Sequence, residues 1–148
     1  VARKPRSGAG LLWPGGELRV PVLSMTDALA AALKGAARAK QIVRGLEGAE
    51  RTLAAEERGM RAADAKSGAA RGSRVSRLLL LTNDGAERFY RNVESLLRHY
   101  GTRLLAVRLE QGDQELGALV FGPEERARSL LLEHKDAVAA VLLALAAE

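Results

Sequence analysis

The fold is decided by one stretch of the sequence, Arg77-Leu78-Leu79-Leu80-Leu81-Thr82-Asn83-Asp84. Its four consecutive leucines are too few for an independent helix, and their polar flanks are typical of a β-strand that is buried on both faces. The Asn83-Asp84-Gly85 turn ends this strand and supplies cap chemistry for a helix from about Ala86 to His99. A second apolar run, Leu104–Leu109, follows that helix. The sequence therefore predicts a strand–helix–strand unit with parallel strands and a right-handed crossover.

Further helices and strands are predicted on either side of this unit. Thr26 and Asp27 are capping residues for a helix that runs to about Ala39, and Gly45 turns the chain from a short strand into another helix. The remaining segments are the strand candidate 41–44, the short helix Gln114–Val120 capped by Asp113, the strand Ser129–Leu132, and a last helix that Asp136 caps and that runs to Ala147. This order predicts one α/β domain over residues 26–148, a three-layer α/β/α sandwich around a small mixed sheet of about four strands.

Residues 1–25 precede the predicted domain and begin as a basic, glycine-rich tail. A turn sequence, Trp13-Pro14-Gly15-Gly16-Glu17, separates Leu11-Leu12 from the run Leu18–Val22. Two interpretations of this extension stay open. It is either a hairpin, which Pro21 would restrict to an edge of the sheet, or a disordered extension.

The composition bounds the class of protein. A chain of 148 residues corresponds to one domain, and the absence of cysteine excludes disulfides and cysteine-based zinc sites. The longest apolar run, Ala137–Ala147, is about half a membrane span, and the first residues lack the pattern of a signal peptide. We therefore expect a soluble, cytoplasmic protein that is a monomer and does not bind membranes.

The positive charge is concentrated in the first half of the chain. Residues 1–77 carry 15 Lys and Arg against 7 Asp and Glu, a charge of +8, whereas residues 78–148 carry a charge of −3. Residues 58–77 alone contain six basic residues and one acidic residue, and three glycines interrupt their helical pattern. We predict a flexible basic loop here, helical at most in its first half. The asymmetry favours a polyanionic partner on one side of the molecule.

No constellation of residues in the sequence is typical of catalysis. The only imidazoles, those of His99 and His134, have no accompanying carboxylates at metal-ligand spacing. No glycine-rich nucleotide-binding loop follows a strand, and the serines lack the context of a nucleophile elbow. We therefore expect a non-enzymatic protein without a metal or cofactor.

Several segments resemble, in the same order, parts of one family of ribosomal proteins. Residues 36–53 are similar to the first helix, first strand and second helix of the kink-turn RNA-binding proteins of the archaeal large ribosomal subunit and their bacterial and eukaryotic relatives. Residues 78–86 resemble the second strand and acidic turn of that family, residues 98–104 its stretch before the next strand, and residues 113–117 its acidic-Leu-Gly helix start. The resemblance spans about residues 26–148 and implies the same three-layer α/β/α fold.

The resemblance also implies RNA binding at the strand-to-helix turn after Gly45. A helix amino terminus presents N–H groups to phosphate, glycine lets the backbone come close, and arginines add charge-assisted contacts. Family members that read kink-turns have Asn and Glu where this chain has Glu47 and Gly48, and an ionised Glu47 cannot donate a hydrogen bond. We therefore expect binding through the RNA backbone, by the predicted site residues Arg38, Lys40, Arg44, Gly45, Glu47, Gly48, Arg51, Arg71, Arg74, Arg126 and Arg128.

Two functional hypotheses follow from the sequence. The first is an RNA-binding protein that acts on structured RNA or at the ribosome, for which the basic loop 58–77 is either a gripping arm or an insertion without a role. The second is a protein-interaction module on the same fold that has lost RNA binding, and Glu47 and Gly48 favour this alternative.

Overall fold

The computed structural model describes residues 9–67 and 75–146. Its helices and strands are β1 (Ala9–Leu11), β2 (Arg19–Leu23), α1 (Asp27–Arg38), β3 (Ile42–Arg44), α2 (Leu46–Ser67), β4 (Arg77–Leu81), α3 (Glu87–Tyr100), β5 (Leu104–Leu109), α4 (Asp113–Phe121), β6 (Ser129–Leu132) and α5 (Lys135–Ala146). The predicted α/β class is confirmed. Within the described ranges, every helix is too short or too polar to cross a membrane.

The strands form one mixed sheet in the order β1-β2-β5-β4-β6-β3. The predicted parallel pair is confirmed, since β4 and β5 run side by side with Leu78 opposite Leu105. Strand β2 is parallel to the other side of β5, whereas β6 is antiparallel to β4, and β3 is antiparallel to β6. The prediction of about four strands is wrong, because the chain before residue 26 adds two more.

The leucines of β4 alternate between two hydrophobic cores, one on each face of the sheet. Leu78 and Leu80 point into a cluster with α1, α4 and α5, and Leu79 and Leu81 point into a cluster with α2 and α3. All four side chains are fully buried. The sequence prediction that this strand is covered on both faces is therefore confirmed, and burial of four leucines contributes roughly 6–12 kcal/mol of hydrophobic free energy.

The hairpin interpretation of the amino-terminal extension is the one that the structure shows. Strands β1 and β2 pair antiparallel, with Ala9 opposite Pro21. The hairpin forms one edge of the sheet, as predicted, with β1 outermost and β5 on the other side of β2. The pairing with β5 covers only Val22 and Leu23, and so it begins after the proline, which has no N–H to donate.

The turn of this hairpin is anchored on α3 by Trp13. The indole Nε1–H of Trp13 donates to Glu94 Oε1 at 2.9 Å, and the guanidinium of Arg91 lies 4.8 Å from the ring centroid. The hydrogen bond from Trp13 contributes most to holding the pKa of the Glu94 carboxyl below its ordinary value, followed by the N–H of Glu17. A Cβ on Gly16 would lie 2.6 Å from the indole nitrogen, so the turn sequence needs glycine there.

Helix α2 extends into the segment that was predicted as a basic loop. It ends at Ser67, so residues 58–67 are helical, in agreement with a helical first half, whereas residues 68–74 lie outside the described ranges. One ion-pair cluster connects the middle of α2 to the start of β4 and to the residue just before β5. There, the guanidinium of Arg103 bonds Glu56 at 2.9 Å and Glu57 at 2.8 Å, and Arg77 also bonds Glu56.

Thr26 caps α1 as predicted, by accepting the N–H of Leu29, but the N-caps predicted for α3, α4 and α5 are wrong. Helix α4 has Gly112 as its N-cap and begins at Asp113, because the N–H of Asp113 donates to the carboxylate of Asp84. Helix α3 begins after Ala86 without a side-chain cap. At the start of α5, the N–H of Asp136 donates to the imidazole of His134 at 3.0 Å, so the histidine performs the predicted role of the aspartate.

Candidate functional site

Several strands end on the same side of the sheet, and this brings four helix amino termini together. We call this side, which runs across the strand ends, the carboxyl edge, because β2, β4 and β5 all end there. The register places Ser129, at the start of β6, opposite Leu81, and Arg44, at the end of β3, opposite Leu130. Helices α1 to α4 each follow a strand that ends at this edge. Since helix amino termini carry partial positive charge, this edge of the molecule suits an anion.

The turn between β3 and α2 depends on two glycines. Gly45 has a φ of +93°, in the left-handed region that other residues rarely adopt. Its N–H donates to the carbonyl of Ser129 at 3.1 Å, and its own carbonyl accepts the N–H of Ala49. Any side chain at Gly48 would meet Val43, since a Cβ there would lie 2.8 Å from Val43 Cγ1. Glycine at these positions therefore lets α2 start close against β3.

A cleft beside this turn is lined by residues from three segments of the chain, 44–51, 86–92 and 128–129. We call it the basic cleft, because four arginines and a single carboxylate, that of Glu47, are among the residues that line it. Its lining residues are Arg44, Gly45, Leu46, Glu47, Gly48, Arg51, Ala86, Arg88, Phe89, Asn92, Arg128 and Ser129. Six predicted site residues meet here, namely Arg44, Gly45, Glu47, Gly48, Arg51 and Arg128.

The other predicted site residues lie elsewhere. Arg38 ends α1 and Lys40 precedes β3, so both are at the opposite edge of the sheet, where β4 and β5 begin. Arg126 is exposed beside the cleft without lining it, and its guanidinium is 3.9 Å from Asp113 Oδ2. Arg71 and Arg74 lie outside the described residues. The sequence grouped Arg38 and Lys40 with Arg44 because they are neighbours along the chain, but the three-residue strand β3 separates them.

The first turns of α3 contribute cleft residues that were not predicted from the sequence. Arg88 and Asn92 are exposed and line the cleft from the side opposite α2, together with Phe89, which is partly buried. The pattern that could have indicated them is the strand order. If the predicted strand Ser129–Leu132 lies between β3 and β4 and antiparallel to both, then β3 and β4 are parallel to each other. The chain segments that follow them must then meet at the same edge of the sheet.

Two arginines of the basic cleft are already engaged by carboxylates of the segment from α4 to β6. Arg44 Nη1 donates to Glu125 Oε1 at 2.9 Å and to the carbonyl of Arg126, and its guanidinium lies 4.2 Å from the centroid of the Phe121 ring. Arg128 Nη2 bonds Asp113 Oδ2 at 2.8 Å. Both guanidinium groups remain close to half exposed, so they can also contact a ligand.

The carboxylate of Asp84 fixes the position of these groups. Burial tends to raise the pKa of Asp84, but hydrogen bonds from the N–H of Asp113 and from Thr82, together with the charge of Arg128, hold that pKa below its ordinary value. Asp84 therefore stays ionised and holds the first turn of α4. The carboxylate of Asp113, which lies in this first turn, accepts a hydrogen bond from Arg128 and so orients Arg128 toward the cleft.

The basic cleft continues into a groove between α2 and α3. We call it the α2–α3 groove, and its lining residues are Leu46, Glu47, Glu50, Asn92, Ser95, Leu96 and His99. Three of them, Leu46, Glu47 and Asn92, also line the basic cleft, so the two depressions are continuous. Residues 9–67 and 75–146 contain no group of His, Asp and Glu that could hold a metal ion.

The chain matches no protein-family model, and no curated protein is similar to it. A solved structure from Bacillus halodurans, described as a protein with unknown function, is similar in fold. The two share 16% sequence identity with a TM-score of 0.53, and the match covers 82% of this chain and 99% of that chain. At this identity the likeness concerns the fold alone.

Proposed function

We propose that the protein is a non-enzymatic RNA-binding protein that holds the backbone of a structured RNA, at the ribosome or elsewhere, in its basic cleft. The observation that carries this proposal is the convergence of Arg44, Arg51, Arg88 and Arg128 around the amino terminus of α2, with Glu47 as the one carboxylate among the lining residues. Guanidinium groups and unpaired helix N–H groups are both strong partners for phosphate oxygens.

The resemblance to kink-turn RNA-binding proteins supports RNA as the polyanion, and the geometry of Gly45 and Gly48 supports close approach of a phosphate to the α2 backbone. At position 47 this chain has the carboxylate of Glu47 where the family has the amide of Asn. At position 48 it has Gly48, which lacks a side chain, where the family has the carboxylate of Glu. The contacts that this chain can make are therefore mainly to phosphates. Such contacts release counterions, so the affinity should fall steeply as the salt concentration rises.

The double variant Arg51→Glu/Arg88→Glu tests this site. Because each arginine is exposed and lines the cleft from a different helix, reversal of both charges should weaken RNA binding by roughly 1–3 kcal/mol. The slope of log K against log salt should fall by about 1 for each lost phosphate contact. Gel shifts with a kink-turn RNA, an unstructured RNA and duplex DNA at several salt concentrations would measure both quantities.

The matched control is Arg38→Glu/Lys40→Glu, which changes the net charge equally but at the opposite edge of the sheet. Its affinity and salt slope should stay close to those of the unmodified protein. Equal weakening by the two double variants would mean that overall charge, not the basic cleft, determines binding.

A second prediction concerns the carboxylate of Glu125, which competes with RNA for Arg44. An exposed ion pair of this kind is worth up to about 1 kcal/mol, so Glu125→Gln should raise RNA affinity about two- to fivefold. Glu124→Gln removes the same charge from the neighbouring exposed residue and serves as the control. A lower affinity of Glu125→Gln would show that this carboxylate positions Arg44 for binding, which contradicts competition.

The alternative function is a protein-interaction module, and α5 favours it. Leu143 on this helix is 72% exposed and the adjacent Leu142 is 36% exposed, and together they offer apolar surface that a protein partner would cover. Absence of RNA binding at low salt, with co-purification of a protein partner that Leu143→Lys abolishes, would support this alternative over RNA binding.

A further inference from the structure

The chemistry of the surface changes where the basic cleft passes into the α2–α3 groove. The cleft is lined by four arginines, whereas the groove side of α3 presents an amide, a hydroxyl and an imidazole, from Asn92, Ser95 and His99. All three residues are exposed. They follow Arg88 at spacings of four, three and four residues, which places all four on one face of α3.

The facing wall of the groove comes from α2 and is acidic. Glu47 and Glu50 are exposed, lie three residues apart and line the groove opposite Asn92 and Ser95. Two carboxylates repel phosphate, so an RNA backbone that lies on the arginines cannot continue into the groove with its phosphates inward. The same carboxylates accept hydrogen bonds from amino groups of bases and from ribose hydroxyls.

We infer that the α2–α3 groove reads the base edges and 2′-hydroxyl groups of the RNA whose phosphates the basic cleft holds. This inference rests on the proposed function and names the part of the ligand that gives specificity. Amide, hydroxyl and imidazole groups can donate and accept, which suits mixed base edges and the 2′-hydroxyl, and the latter distinguishes RNA from DNA. The face from Arg88 to His99 is about 16 Å long, which is the length of roughly five stacked nucleotides.

The double variant Asn92→Ala/Ser95→Ala tests this assignment. Because two neutral hydrogen-bonding groups are lost, affinity for the RNA that the unmodified protein binds should fall about tenfold. The salt slope should not change, because no phosphate contact is removed. The preference for that RNA over DNA of the same sequence should shrink as well. Since alanine favours helix formation, α3 should keep its thermal stability.

The control variant is Thr102→Ala/Gln114→Ala, which removes two exposed, neutral polar side chains outside the cleft and the groove. An equal loss in this control, no loss in the groove variant, or a loss with a reduced salt slope would each overturn the inference. In those cases the arginine variants still decide the proposed function separately. If the unmodified protein binds no RNA, or binds a lysine-rich peptide in the groove instead, the proposed function fails together with this inference.

The variant Glu50→Gln tests whether the groove contacts the bases of the RNA or only lies next to its phosphates. If the carboxylate accepts hydrogen bonds from RNA, removal of its charge should lower the affinity by about three- to tenfold. If the groove instead lies next to phosphates, the same change should raise the affinity, and the inference is wrong.

Discussion

Replacement of Arg103 by methionine should lower the free energy of unfolding by about 3 kcal/mol. Arg103 is 5% exposed, and its guanidinium donates to Glu56, to Glu57 and to the carbonyl of Leu53. Methionine preserves the apolar part of the side chain but leaves the carboxylate of Glu57 and the Leu53 carbonyl without this donor. The cost should be at the low end for a buried ion pair, because both carboxylates keep partial contact with water. Urea unfolding followed by circular dichroism measures the difference.

Arg98→Met is the matched control for that experiment. Arg98 also contacts two carboxylates, those of Glu17 and Glu94, but its side chain is 53% exposed. Exposed ion pairs contribute up to about 1 kcal/mol each, so the change should be well below that of Arg103→Met. Equal effects would mean that burial of the Arg103 cluster does not determine its contribution.

Replacement of Gly117 by alanine should destabilise the fold by roughly 3 kcal/mol. A Cβ at this position would overlap the backbone of Glu125 and Arg126, with the carbonyl carbon of Glu125 at 2.5 Å. Backbone atoms cannot move aside as the end of a side chain can, and overpacking of this kind costs about 1–3 kcal/mol or more. Since Glu125 and Arg126 also hold Arg44, the variant that remains folded should bind RNA with altered affinity.

Gly35→Ala, in helix α1, should have the opposite effect on stability. No atom lies within 4 Å of a Cβ built on Gly35, so alanine there should stabilise α1 by about 0.5–1 kcal/mol. Thermal unfolding of the two variants should therefore move in opposite directions. A stabilising effect of Gly117→Ala would show that α4 can move away from residues 125–126 without cost.

The centre of the fold could be predicted because its signals are local. Four leucines between an arginine and a polar turn identify β4, and the glycine after Arg44 identifies the start of α2. The strand count could not be predicted in the same way. Whether β1 and β2 join the sheet depends on the pairing of Val22 with Arg108, residues far apart in the sequence.

The N-cap of α4 could not be predicted for the same reason. Asp113 has the side chain of a good N-cap, but a carboxylate from the end of β4 accepts its N–H, and the helix starts one residue earlier than expected. Only the packing of the two turns against each other determines which residue caps α4.

About half of the candidate site could be predicted. The glycine turn and Arg51 follow one another along the chain, so the sequence grouped them correctly. Arg88 and Asn92 were not predicted, because the order of the strands in the sheet places α3 beside α2 and the sequence alone does not show that order. Arg38 and Lys40 lie away from the cleft, and the sequence did not show this because nearness along the chain does not indicate at which end of a strand a residue lies.

The position of β6 in the sheet has a consequence for biosynthesis. Strand β3 joins the sheet through β6, which is translated last of the described strands. The partners Arg44 and Glu125 are 81 residues apart along the chain, and contacts between such distant residues form slowly. During synthesis, β3 therefore has no strand to pair with until Leu132 has left the ribosome. The arginines of the basic cleft cannot come together before synthesis of the domain is nearly finished.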